Sequence, residues 1–169
     1  VAALAKFLRV MGAEIHGEGT DCIQMRPRGS CSGASFTVLP DRIETATYLC
    51  ALGLCGGKLR LEHTEPVGLL PVISALRAAG MDIAVTPDSI TAQCTALHAV
   101  PLIRTAPYPA FPTDAQAPVM AALLCAEGRT TVEETVFEHR FRHVAAFRAM
   151  GADISVRDHC AVICGVCPS

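Results

Sequence analysis

Tryptophan is absent from this chain of 169 residues, and aromatic residues make up only 5% of it. Single-stranded nucleic acid stacks on successive rings, so no such platform is available. A basic excess is missing too, since 14 Lys and Arg against 16 Asp and Glu leave a formal charge of −2. Nucleic-acid binders carry a basic face or stripe, so no nucleic-acid partner is expected. No uncharged apolar run reaches the ~18 residues that a membrane span needs, and no membrane partner is expected. The first residues lack the basic start, apolar block and small-residue cleavage site of a secretory signal. A cytoplasmic location is the expectation that follows.

What is present is a core-forming composition, 51% hydrophobic and 18% charged, which argues against disorder. The 9 cysteines are odd in number and scattered. A disulfide scaffold suits small loop-rich secreted chains, so buried free thiols fit better here. One cluster, Cys160, Cys164 and Cys167 with His159 beside it, has spacings that admit a metal. No second CxxC pair accompanies it, and HCAVICGV also reads as a strand, so no metal and no cofactor are expected. The chain begins with Val and stops after CGVCPS, which leads us to expect an internal fragment of a longer protein.

An internal repeat organises the sequence. FLRVMGAEI (7–15), ALRAAGMDI (75–83) and AFRAMGADI (146–154) place Gly12, Gly80 and Gly151 at intervals of 68 and 71 residues. Each segment ends an amphipathic helix, sets Gly at the helix C-terminus and starts a strand. CGGKLRLEHT (55–64) and AEGRTTVEET (126–135) keep the same period, with Gly57 and Gly128 71 apart. A unit of about 70 residues is too long for a solenoid repeat and suits an α/β (α+β) supersecondary unit. Helices are predicted near 3–11, 41–54, 69–79, 114–126 and 136–150. Strands are predicted near 13–16, 35–39, 58–62, 81–85, 89–93, 100–104, 130–133, 152–156 and 160–164. In the last helix Phe137, Phe141, Val144 and Phe147 would form one buried stripe.

Chemistry concentrates in two stretches. TAPYPAFPTDAQAP (105–118) has four prolines and one charged side chain, Asp114. Asp114 reads as a helix cap, as Asp41 does in LPDRIET with Glu44 three residues on. It also reads as a general base, because a proline-stiffened loop is what a precisely placed group needs. ETVFEHRFRHV (134–144) reads as an amphipathic helix with a Glu138–Arg142 pair. Alternatively it starts a ligand-binding helix, where Val136 and Phe137 offer an apolar surface and Arg140 a fork for phosphate or carboxylate. His139 and His143 are read as surface or cleft residues.

GAEIHGEGTDCI, LPDRIETATYLCA, RTAPYPAFPTDAQAP and ETVFEHRFRHV, in this order and spacing, resemble the enolpyruvyl transferases, in particular the UDP-N-acetylglucosamine 1-carboxyvinyltransferases of peptidoglycan synthesis. The resemblance covers nearly all of this chain but well under half of a complete family member. It implies a two-domain inside-out α/β barrel, each domain built from three copies of a repeated βαβαββ-type unit. Residues 1–38 would end the first domain, and 39–169 would supply two of the three units of the second, incomplete here. It implies phosphoenolpyruvate and UDP-N-acetylglucosamine as substrates, with the enolpyruvyl group passing to the sugar 3-hydroxyl. That reaction needs a base at the hydroxyl, an acid at the methylene, and cations around phosphate and carboxylate. By motif, Asp114 matches the proposed base, Val136 and Phe137 the nucleotide-sugar contacts, and Arg140 a cleft arginine. Asp41 and Arg42 match the interdomain crossover. The family's acid loop, its phosphate-binding Lys–Asn pair and its late arginines have no counterpart in this chain, so the fragment alone is expected to be inactive. The shikimate-pathway sister enzyme and a non-catalytic remnant that only binds stand as alternatives. Oligomeric state is not addressed by any motif.

Overall fold

The computed structural model describes residues 1–26, 30 and 32–166. These fall into two compact units, Val1–Pro40 and Asp41–Ser169. No helix among the described residues is long and apolar enough to cross a membrane.

The smaller unit holds helix α1 (Ala2–Val10) and an antiparallel pair, β1 (Glu14–His16) with β2 (Gln24–Arg26). Arg9 forms an ion pair with Glu18, and that hydrogen bond leads the effects holding the Glu18 carboxyl down at about 2. Phe7 packs on Phe36 with ring centroids 5.3 Å apart. The strand expected at 35–39 does not form. Those residues have no ladder partner among the described residues, and an apolar stretch without a partner strand stays irregular.

The larger unit repeats itself. Helix α2 (Arg42–Cys55) leads into β3 (Gly57–Glu62), helix α3 (Leu70–Ala78), β4 (Asp82–Val85) and β5 (Ser89–Cys94). Strand β6 (Leu102–Arg104) then precedes helix α4 (Gln116–Leu123), β7 (Gly128–Glu133), helix α5 (Val144–Ala149), β8 (Asp153–Arg157) and β9 (Cys160–Gly165). The first sheet runs β3-β5-β4, all antiparallel. The second runs β6-β7-β9-β8, with only β6 and β7 parallel. Its last three strands reproduce the first sheet, and β7, β8 and β9 each begin 71 residues after β3, β4 and β5.

One end motif recurs three times. Gly12, Gly80 and Gly151 have φ of 102°, 99° and 96°, a region that side chains resist. Each glycine amide donates to an arginine carbonyl three residues back, at 2.9 Å. The next amide reaches back five residues, at 3.0 Å. The arginines are Arg9, Arg77 and Arg148, and each guanidinium donates forward to a strand carbonyl, of Ile15, Ile83 and Ile154. Helix, turn and strand are thereby fastened by one residue in every copy.

The core of the larger unit joins both halves. Leu49, Val72, Ile73, Leu76 and Ile90 are buried with Val119, Met120, Leu123, Val132 and Ile163. Helix α2 packs against α4. Gly53 leaves room for Leu97, since a Cβ there would stand 2.8 Å from Leu97 Cδ1. Asp41 caps α2, its Oδ1 accepting from the Ile43 amide at 2.7 Å.

The thiols divide. Cys50 and Cys94 are buried, and desolvation pushes Cys50 up to about 12 and Cys94 upward as well. Cys22 and Cys55 are free but exposed, which corrects the expectation of buried free thiols at those two positions. Cys160 and Cys164 lie on β9, whereas Cys167 lies outside the described residues.

Candidate functional site

The stiff loop is anchored at both ends before it presents Asp114. Thr105 donates its amide to the Glu133 carbonyl at 3.0 Å, which continues the β6–β7 pairing. Phe111 is buried in the core, and its carbonyl accepts from the Ala106 amide at 3.0 Å. Tyr108 at the loop tip is exposed, with the Arg42 guanidinium 5.5 Å from its ring centre. Asp114 then falls inside a short 3-10 turn, Thr113–Ala115, that runs directly into α4, whose first turn receives no side-chain cap.

That geometry corrects the cap reading. The residue preceding the turn is Pro112, and no side chain caps it. Asp114 is 58% exposed at its side chain, and its Oδ1 accepts from Arg140 Nη2 at 2.6 Å. Its Oδ2 has no protein partner among the described residues.

The expected helix over 136–150 is also corrected. Only a 3-10 turn, Arg140–His143, and the six residues of α5 are helical. Glu134 Oε1 accepts the amides of Val136 at 2.8 Å and Phe137 at 3.1 Å, as a helix cap would, yet residues 136–139 turn without entering a helix. Phe137 accordingly leaves the apolar stripe and is exposed, while Val144 stays buried and Phe141 and Phe147 pack partly against the core. Glu138 precedes the turn and does not share a helix with Arg142.

Asp114, Val136, Phe137 and Arg140 line one open hollow of about 840 Å³, together with Thr113, Glu138, His139, Arg142 and His143. All four residues singled out in the sequence are thus brought to one place. The Arg140 guanidinium also lies 5.5 Å from the Phe137 ring centre. Asp41 and Arg42 do not line this hollow. Arg42 lines a neighbouring one of about 110 Å³, which shares Asp114, Thr113 and Val136.

His143 is more than a surface residue. Its ring stands edge-on to Phe147 with centroids 5.2 Å apart, and its Nε2 is 3.4 Å from Met120 Sδ. Burial, with the charge of Arg140 adding to it, pushes its pKa down against a backbone hydrogen bond that raises it, so the ring is neutral near pH 7.

Glu134 is the residue that the sequence reading passed over. It is 2% exposed, and its Oε2 accepts from Thr113 Oγ1 at 2.8 Å and Gln116 Nε2 at 2.6 Å. Burial pushes its pKa up, but hydrogen bonds from Thr113, the Val136 amide, Thr105 and the Phe137 amide outweigh that and hold it below the usual carboxylate range. The available signal was its place directly after β7, one turn ahead of the candidate ligand contacts. Among the described residues no three ligating side chains converge on a metal position.

A family model described as EPSP synthase (3-phosphoshikimate 1-carboxyvinyltransferase) matches residues 1–168. The chain belongs to the EPSP synthase family. Within that family it is 44% identical over 170 residues to a UDP-N-acetylglucosamine 1-carboxyvinyltransferase of Desulfovibrio desulfuricans. It is 39% identical over 166 residues to one of Clostridium botulinum. Both alignments cover 98% of this chain and 40% of the relative, so the chain spans well under half the length of these curated relatives. Its fold is similar to the enolpyruvyl transferase NikO from Streptomyces tendae, with a TM-score of 0.83 at 27% identity over 99% of this chain and 40% of that one. An EPSP synthase from Acinetobacter baumannii shares the family fold at 21% identity, with a TM-score of 0.67 over 97% of this chain and 40% of that one.

Proposed function

We propose that the chain is the acceptor-side part of an enolpyruvyl transferase that moves the enolpyruvyl group of phosphoenolpyruvate to the 3-hydroxyl of UDP-N-acetylglucosamine. The observation that carries this is the convergence of Asp114, Val136, Phe137 and Arg140 on one hollow. Relatives at 44% and 39% identity that bear the nucleotide-sugar name support the choice of acceptor. In this reading Asp114 takes the hydroxyl proton on its free Oδ2 while the hydroxyl oxygen attacks C2 of the enolpyruvate and the C3 methylene takes a proton from an acid in the rest of the transferase. The tetrahedral intermediate then expels phosphate from C2 and loses a C3 proton, which restores the double bond. Val136 and Phe137 give the nucleotide sugar an apolar surface, and Arg140 supplies positive charge to the cleft. Residues 1–38 end one domain and 39–169 form two repeats of the other, an assignment supported by the repeated strand order and the compact unit that begins at Asp41. The process served is peptidoglycan synthesis, hence cell shape and division, in the cytoplasm.

The test uses the full-length protein that contains this chain. Phosphate release from phosphoenolpyruvate is expected with UDP-N-acetylglucosamine and not with shikimate 3-phosphate. Asp114→Asn is expected to lower kcat by about 10²–10⁴ with folding intact, the range of a general base. Turnover with shikimate 3-phosphate alone would move the assignment to the sister enzyme. Binding of the nucleotide sugar without turnover would leave a binding domain only.

A further inference from the structure

We propose that Glu134 is a positioning residue of the transfer site, tying the Asp114 turn to the Val136–Phe137 turn through its two carboxylate oxygens. The proposal rests on the transferase reading above.

Each oxygen serves one wall of the hollow. Oε2 takes hydrogen bonds from Thr113 and Gln116, the residues at −1 and +2 around Asp114. Oε1 takes the amides of Val136 and Phe137. Two segments about twenty residues apart in sequence therefore meet at one carboxylate, and its rigid plane sets their separation.

The chemistry of the choice argues against simple capping. A carboxylate this deeply buried is costly unless fully hydrogen-bonded, and no cation pairs with Glu134 among the described residues. Donors from both turns supply that satisfaction instead. Gln116, 1% exposed, keeps its Nε2 on Glu134 although its own Oε1 is left buried without a partner. A surface Ser or Asp would cap a turn without these demands. What the buried carboxylate adds is stiffness between two walls that carry a proton acceptor and a sugar-binding surface. Misplacing a reacting group by about 1 Å costs roughly 10²-fold in rate.

Steady-state phosphate release by the full-length protein tests this, with phosphoenolpyruvate and UDP-N-acetylglucosamine varied separately. Glu134→Ala is expected to lower kcat about 100-fold and to raise KM for the nucleotide sugar, with KM for phosphoenolpyruvate unchanged. Glu134→Gln is expected to recover to within about tenfold of wild type, because Gln116 can turn its orphan Oε1 toward the new amide. Thr113→Val, which loosens only the Asp114 wall, is expected to lower kcat about tenfold without moving either KM. If Glu134→Ala does not fold, Thr113→Val decides alone. An active wild type whose folded variants keep wild-type kcat and KM, losing only melting temperature, overturns the positioning role and leaves the transferase reading standing. A folded wild type inactive with both substrates removes that reading, and the positioning role with it.

Discussion

The pair between Asp114 and Arg140 is well placed to be given up. Both side chains are substantially exposed, at 58% and 40%, so solvent screens them and the pair contributes about 0–1 kcal/mol. A bound anion can therefore draw Arg140 away at small cost. Glu134 is the opposite case, buried and fully engaged. Its pKa is lowered on folding, so the unfolded state binds the extra proton as the solution is acidified. Its stabilising contribution is complete above the ordinary glutamate value of about 4.3 and disappears as pH falls through the depressed folded value. Glu134→Gln has no proton to take up there. The gap in melting temperature between wild type and Glu134→Gln should be widest near neutral pH and narrow steadily through the acid range. An equal gap at both ends would mean that Glu134 is not held as the carboxylate. The sequence pointed to Asp114, Val136, Phe137 and Arg140, which the fold brings to one hollow, because a single charge in a proline-rich stretch and the family-like ETVFEHRFRHV motif are local signals. It did not show Glu134, whose importance lies in partners from a segment 18 to 21 residues away.

At the level of elements, the repeat was the most legible feature. Glycine at a helix end and an arginine three residues before it are both local requirements, so they recur in sequence wherever the motif recurs in space. The strand at 35–39 and the long helix over 136–150 were not legible. The first needed a ladder partner that periodicity cannot supply, and in the second only the 3-10 turn Arg140–His143 and the six residues of α5 are helical, although Glu134 accepts two earlier amides as a cap would. Strand β2 is exposed along its whole length and carries no alternation to detect. The three glycine ends also differ in a measurable way. A Cβ on Gly151 or Gly12 would meet nothing within 4 Å, while on Gly80 it would stand 2.9 Å from His98 Cδ2. Gly151→Ala should therefore cost only the backbone penalty, roughly 1–2 kcal/mol. Gly80→Ala should cost more, because the exposed His98 ring must swing aside before the methyl fits. Thermal melts of the two variants side by side would show the ordering, and a larger loss at Gly151 would contradict it.

For the molecule as a whole, the two compact units differ in how much core each can claim. The larger has a continuous buried cluster spanning both of its sheets. The smaller has 40 residues with Ala5 and Ile15 as the buried apolar side chains among those described, and an apolar hollow of about 230 Å³ between α1 and the Phe36–Leu39 segment. Leu4, Val38 and Leu39, which line it, are exposed, as are Val1, Val10 and Met25 elsewhere in the unit. Chains of about 40 residues rarely bury enough surface to fold without a partner, a metal or a disulfide. Residues 41–169 expressed alone should therefore unfold cooperatively, whereas residues 1–40 alone should give the amide spectrum of an unfolded peptide. Because the relatives extend well beyond the matched region, residues 1–169 should also show no sustained phosphate release, even where the full-length protein does. Turnover by the 169-residue chain would require that acid and phosphate-binding groups exist within it. The search for them would then begin at Arg42, Arg142 and His139, which line the two hollows that meet at Asp114.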